Sequence, residues 1–522
     1  MKIKKKFWLP TLLALTAAFT VACSSGASTS ATKSTTGKDQ FVYAIQSDPT
    51  DINPITTTNR EGLTYVNMIF SPLVRIEADG SKKNELAKSM ETSADGKTVT
   101  VKLRDDVKWS DGEKFTADDV VFTYKQRADK KNGRQNKMLV GDKLIEVKKI
   151  DDYTVEFILP SASAAAIENV ATETYIIPEH VYKDVTDFSV KDLNIQPVGT
   201  GPYKLVENKR GEYIKFTANE NYYGGQASIK DVVFRIIPNT DTAKVALQKG
   251  EIDATVVLPN DVADLDKETI ASHEYTEGSV EYLGLNTKSE ALKDPKVRQA
   301  IMYALNKEDL NKAVYLDNKF YETPNSFLPT DNPYKTDDVE KYATNVEKAK
   351  ELLKEAGVSN LKLNLWYRGN DKAYTLQATL IQQQLQAVGI TVELKGVESS
   401  ALTAELLKKE STAYDMFLNM YIWGIDPDLY SVMYTSDSSR NYFRFNSTET
   451  DDLFKNAAVE LDSAKRKEQY NELQKKIAKD AIVYPIVTKK RILAVNKNVE
   501  NVDKAQLIPI YTFEDVSKLS KK

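Results

Sequence analysis

The residues with the most chemical capacity in this 522-residue chain stand at 421–428, YIWGIDPD. A strand-like run holding Met416, Leu418 and Met420 leads through Tyr421 into Trp423 and Gly424, and a tight Asp426-Pro427-Asp428 turn follows. An aromatic plane beside backbone and carboxylate groups at a strand end is a common way to build one wall of a ligand cleft. The same residues also make a plain strand exit, with Asp428 capping the next helix and Trp423 in the core, because Pro and Asp suit turns for local reasons. A second edge of this kind lies upstream. LKLNLW at 361–366 alternates as a strand should and runs into Tyr367-Arg368-Gly369-Asn370-Asp371, after which 376–388 read as a helix and 390–394 as another strand. Strand, loop, helix, strand predicts a βαβ unit on a parallel sheet, whose ligand-facing edge is the loop after the first strand.

Other chemistries lack their residues. The chain has two histidines, His180 at an expected helix start and His273 in an expected polar loop, and it contains no HExxH, no G-x-S-x-G and no EF-hand loop. Its 75 acidic residues guarantee accidental carboxylate pairs, and no spacing singles one out. The expectation is a protein that is not an enzyme, with no cofactor and no metal. Formal charge is −4, and removing 1–22, which carries four lysines and no acid, leaves −8. With no basic domain, nucleic acid is not an expected partner.

The first residues, MKIKKKFWLPTLLALTAAFTVAC, combine a basic segment, a short apolar run and small residues before Cys23. That is an export signal over 1–22, too short and wrongly flanked for a lasting membrane span. Cys23 is the sole cysteine, so no internal disulfide can form. Its position resembles the modified cysteine of bacterial lipoproteins: Val21-Ala22-Cys23 matches the lipobox, and Thr20 stands where that pattern usually has Leu. Acyl chains on Cys23 would hold the mature protein at the outer face of a membrane. The following SSGASTSATKSTTGK has almost no side chain able to enter a core, so 23–38 reads as a flexible tether reaching roughly 5 to 6 Å times the square root of its length.

A chain of this length needs two or three lobes. In 93–125, Ala94-Asp95-Gly96 makes a hairpin turn, Val99, Val101 and Leu103 alternate, and Thr116 caps a helix whose first turn holds Asp118 and Asp119. The glycines of Val198-Gly199-Thr200-Gly201-Pro202 allow positive φ and its proline fixes the exit, which makes a rigid turn. Asp294 before Pro295 starts one helix, and Thr344 with Glu347 has the capping-box spacing for another that stops at Gly357. Thr56 to Gly62 form a polar loop of the type that often contacts ligands.

The 93–125 segment resembles the signature region of the bacterial extracellular solute-binding proteins of the dipeptide, oligopeptide and nickel class, the capture subunits of ABC importers. VGTGPYKL at 198–205, NENYYGG at 219–225, GEIDA at 250–254, LKDPKVRQAIMYALNKEDL at 292–310 and NVEKAKELLKEAG at 345–357 continue the resemblance in order over more than 400 residues. It implies an α/β, two-lobed fold of the periplasmic-binding-protein type with a cleft between lobes. Lobe I would comprise 39–65, 196–285 and 489–522, an extra subdomain of lobe I 66–195, and lobe II 286–488. It further implies a monomer that captures di- or oligopeptides and delivers them to ABC permease subunits in the membrane. Thr57, Thr58 and Asn59 occupy the loop that touches ligand in the family, and Trp423 and Gly424 stand where it places an aromatic and a close-approach glycine. Arg368 is the candidate partner for a peptide carboxylate, or else a surface ion pair. Dipeptide binders hold the amino terminus with an aspartate where this chain has Trp423. Asp426, or Asp371 beside Asn370, is then the substitute acid, or the ligand has no free amine there. An oligosaccharide stacked on Trp423 and Tyr421 is the alternative guest, ahead of a nickel chelate.

Overall fold

Both halves of the molecule share one strand, Val483–Asn496. The computed structural model describes residues 37–77, 81–172, 174–191, 193 and 196–522. The expected signal, Cys23 and the tether as far as residue 36 lie outside the described residues. The shared strand is buried over most of its length, which suits its Val- and Ile-rich sequence. Its first part pairs antiparallel with Ser279–Leu285 and its second part with Ala254–Val257 and Ile270–Thr276. Pro485, which has no N–H to give, falls beside the register shift at Glu281 and Tyr282.

On one side of this strand the sheet continues through Ala254–Val257, Gln40–Ile45, Asp231–Ile236, Tyr213–Ala218 and Tyr203–Lys209. On the other it continues through Ser279–Leu285, Met416–Ile422, Lys362–Arg368 and Thr391–Val397. Lys362–Arg368 runs parallel to Thr391–Val397 and is joined to it by helix Lys372–Gln386, as the βαβ pattern predicts. Helices Pro295–Ala304 and Val346–Glu355 pack Ile301 and Leu352 into the same core as Leu365 and Ile381. A separate four-stranded sheet, Ala87–Thr92, Thr98–Leu103, Thr154–Ile158 and Glu146–Asp151, carries helix Ala117–Ala128 and has its own core around Trp109, Phe115 and Tyr124. His273, expected in a loop, lies in Ile270–Thr276 opposite Leu493.

The lobes divide at other residues than the expected boundaries. Ser279–Leu285, assigned to lobe I, pairs along its whole length with Met416–Ile422, and Tyr282 stacks edge-on against Phe417. The crossing therefore falls at Glu277 and Gly278, the latter at φ 63°. Helix Arg60–Ile69 does not divide at residue 66, because Tyr65, Val66 and Ile69 all enter the lobe I core beside Phe216.

Two local expectations also shift. Helix Val346–Glu355 is capped by Asn345, which accepts from the Lys348 N–H at 2.9 Å, while the Thr344 hydroxyl donates to the Leu305 carbonyl. In the 198–202 turn neither Gly199 nor Gly201 has positive φ; these glycines serve close approach instead. A Cβ on Gly199 would lie 1.9 Å from the Ile69 carbonyl oxygen, the same oxygen that accepts from the Gly201 N–H at 2.7 Å. The turn is thereby clamped on the end of helix Arg60–Ile69. Gly199→Ala is expected to lower unfolding free energy by about 1–3 kcal/mol, read from urea denaturation; an unchanged midpoint would show that the helix end yields freely.

Candidate functional site

Strand Met416–Ile422 is buried on both faces in lobe II, Met416 and Leu418 on one and Phe417 and Tyr421 on the other, and leaves Ile422 exposed. Gly424 then turns the chain at φ 115°, a conformation side chains disfavour, and Asp426 caps the short turn Pro427–Tyr430 by accepting from the Asp428 N–H at 2.8 Å. Ile422, Trp423 and Gly424 thereby face a cavity of about 360 Å³. Its remaining walls come from both sides of the crossing: Arg75 and Tyr175, Thr276 and Gly278, Pro329 and Asp331, and the C-terminal residues 507–511. Most of these groups are apolar. The Trp423 indole N–H donates to the Met433 sulfur at 3.2 Å, and the Arg440 guanidinium lies 5.4 Å from its ring.

The charged groups at the cavity differ in how well they are matched. Arg75 donates to Glu514 at 2.8 Å and to Asn67 at 2.6 Å and lies 3.4 Å from Glu85. Burial alone would lower its affinity for a proton, but Glu514, Tyr175 and Glu85 hold it above the usual value. Burial pushes the Glu514 carboxyl up, with Arg75 opposing. Asp331 differs. It forms no ion pair among the described residues, and it keeps solvent contact at the cavity although the surrounding protein pushes its carboxyl up, with a hydrogen bond from Thr276 opposing. Among the described residues no group of three or more His, Cys, Asp or Glu is placed to hold a metal ion.

Of the residues singled out in the sequence, Trp423 and Gly424 line this cavity and the rest do not. Tyr421 points into the lobe II core, where its hydroxyl donates to the Phe327 carbonyl and its ring packs on Tyr282 and Tyr430. Asp426 is buried, and Arg466 donates to both of its oxygens at 2.8 and 2.9 Å. Arg368 donates to the Asn419 side chain at 2.7 Å and lies over the Tyr374 ring. Asp371 caps helix Lys372–Gln386 through the Ala373 N–H, with Asn370 exposed beside it. Thr57 is buried, Thr58 is exposed, and Asn59 caps helix Arg60–Ile69 through the Gly62 N–H. Arg75, Asp331, Glu514 and the 507–511 wall went unremarked in the sequence. The available signals were slight: a lone acid in SFLPTDNP and an apolar LIPIY without strand or helix length.

Residues 83–444 match the family described as bacterial extracellular solute-binding proteins, family 5 Middle. The oligopeptide-binding protein AppA of Bacillus subtilis is 31% identical over 502 residues, covering 91% of this chain and 92% of the relative. The crystal structure of the ABC transporter substrate binding protein CtaP from Listeria monocytogenes superposes with a TM-score of 0.88 at 36% identity, over 92% of this chain and 99% of that one. The structure of AppA from Bacillus subtilis in complex with a nonapeptide gives 0.73 at 26%, over 92% and 99%.

The Asp426–Arg466 pair has its charges matched inside the protein. Removing one member of such a buried pair strands the other. Asp426→Asn is therefore expected to lower unfolding free energy by about 3–5 kcal/mol in urea denaturation at neutral pH, and unchanged stability would return this carboxylate to ligand chemistry.

Proposed function

The chain belongs to the bacterial extracellular solute-binding proteins of family 5, and from that premise we propose that it captures peptides between its lobes and delivers them to the membrane permease of an ABC importer. Proteins of that family are transport binding proteins, not enzymes. The observation that carries the reading is the cavity walled by both lobes at the crossing. A guest touching both walls contributes to the closed form what it cannot contribute to the open one, which is how binding energy becomes closure. At about 360 Å³ the cavity is at the lower end of the roughly 300–1,000 Å³ usual for ligand sites, so it suits a short peptide or one end of a longer one.

Asp331 is the acid that receives the peptide's amino terminus. It faces the cavity without an ion pair among the described residues, so an ammonium there gains a charge-assisted hydrogen bond. Asp426 is occupied by Arg466, and Arg75 by Glu514 and Glu85, which leaves the guest's carboxylate to solvent. An oligosaccharide would keep only Trp423 of its two expected stacking rings, since Tyr421 is in the core. Acylation of Cys23 and the tether after it would hold the protein beside its permease, within reach of the transporter.

Native mass spectrometry of the protein as purified, followed by release of the bound molecule, is expected to yield peptides with free amino termini; recovery of sugars overturns the reading. Asp331→Asn is expected to weaken binding of such a peptide by about 1.5–3 kcal/mol, measured by calorimetry, and to leave its N-acetylated form unaffected. Equal losses for both forms would take the ammonium away from Asp331.

A further inference from the structure

Away from the cavity the lobes meet a second time. Leu461 of lobe II fills the space above Gly96 and beside Ala162, and the Ser163 hydroxyl donates to the Ala458 carbonyl at 3.4 Å. Helix Ala164–Ala171 of the extra subdomain starts at this contact and brings Glu168 within hydrogen-bonding reach of Asp426. Glu168 is 9% exposed and Asp426 3%. Two carboxyl groups this close and this buried cannot both carry charge. Arg466 already donates to both oxygens of Asp426, so the proton of the pair belongs on Glu168.

Among the described residues no second cation of equal weight faces Glu168. From strand Lys82–Asn84, Lys82 approaches Glu168 to 3.8 Å with a side chain 41% exposed, a contact that solvent weakens. From helix Ser463–Asp480 come Arg466 and Tyr470, and Tyr334 lies over the same guanidinium. The turn itself adds Asp428, whose carboxyl is pushed up to about 6 by burial and then by Asp426, with Arg466 and Lys137 opposing.

We propose that Glu168 and Asp426 form a proton-operated latch: as the lobes close, Glu168 takes a proton from solvent and shares it with Asp426, so closure weakens as pH rises. The contact joins residues of different lobes, and opening separates them. Burial, and then the charge on Asp426, raise the Glu168 carboxyl in the closed form above its ordinary value of 4.5, with Lys82 and Arg466 opposing. In the open form Glu168 loses both causes. A group whose value is raised on closure stabilises the closed form fully below its open-state value, and this contribution is lost as pH rises through the raised value. The latch requires lobe motion, whatever the guest.

Because Cys23 is the sole cysteine, Cys23→Ser clears the chain for dye labelling at Lys130→Cys in the subdomain and Thr412→Cys in lobe II. Energy transfer in the guest-free secreted protein reads the ratio of closed to open forms from about pH 4.5 to about pH 8. The expected result is a ratio that falls with pH by up to about tenfold per unit in the parent, stays flat in Glu168→Gln, whose amide donates permanently, and keeps its slope in Asp428→Asn. A parent without pH dependence overturns the latch. So does an equal slope in parent and Glu168→Gln, or a slope that vanishes only in Asp428→Asn.

Discussion

The hydrogen-bond ladder along Val483–Asn496 is the constraint on which the two lobes depend. Its first half completes the lobe II sheet and its second half the lobe I sheet, so the lobes can twist about this strand but cannot separate without unpairing it. The neighbouring crossing at Glu277 and Gly278 gives the motion a second, parallel path. Ion pairs sit on this axis: Lys489 lies 3.0 Å from Glu281 and 3.5 Å from Glu277, and Arg60 lies 3.6 Å from Glu277 while donating to the Pro509 carbonyl. Burial would strip the Lys489 proton, but the two glutamates outweigh it. The hinge is thus wired to residues 507–511, which wall the cavity. Thr276 and Gly278 line that cavity directly, so a guest at its floor touches the axis of motion.

Charge is distributed so that the apolar cavity does not carry the cost of unmatched ions. Arg75 would be expensive at such a wall if it stood alone, and Glu514 and Glu85 neutralise it from behind. Asp331 is the contrast, a carboxylate at the wall with no ion pair among the described residues. In the proposed reading, selectivity would rest on the acid that has no ion pair among the described residues and on one indole, both set in a mostly apolar surface. That arrangement orients one end of a guest while tolerating varied side chains.

Local chemistry was legible in the sequence wherever cause and effect lie within a few residues. Asp294 caps its helix ahead of Pro295 as its spacing predicts, and Asp119, expected in the first turn of the helix after Thr116, lies there and accepts from the Thr116 N–H at 2.9 Å. The position of Trp423 and Gly424 at a cavity wall followed from a strand that ends in an aromatic and a glycine. What could not be read was long-range pairing. Nothing near Asp426 reveals that Arg466, 40 residues later, closes on it, or that Glu168 arrives from another lobe. Alternation in SVEYLGL identifies a strand without saying which sheet receives it, so the lobe boundary fell one strand late. The same limit hid residues 507–511, whose role as a wall depends on where the returning chain lands.

The shared strand also fixes an order of assembly. Ala254–Val257 finds its partner in residues that follow the whole of lobe II in the chain, since Ala254 pairs with Val495. Until then one flank of the lobe I sheet is an unpaired edge, a template for wrong partners. Lobe II between the crossings needs only its own residues and the first half of the same strand. The chain therefore completes its second lobe and its first almost together, and the lobe I sheet stays half-finished until the whole of lobe II has been made.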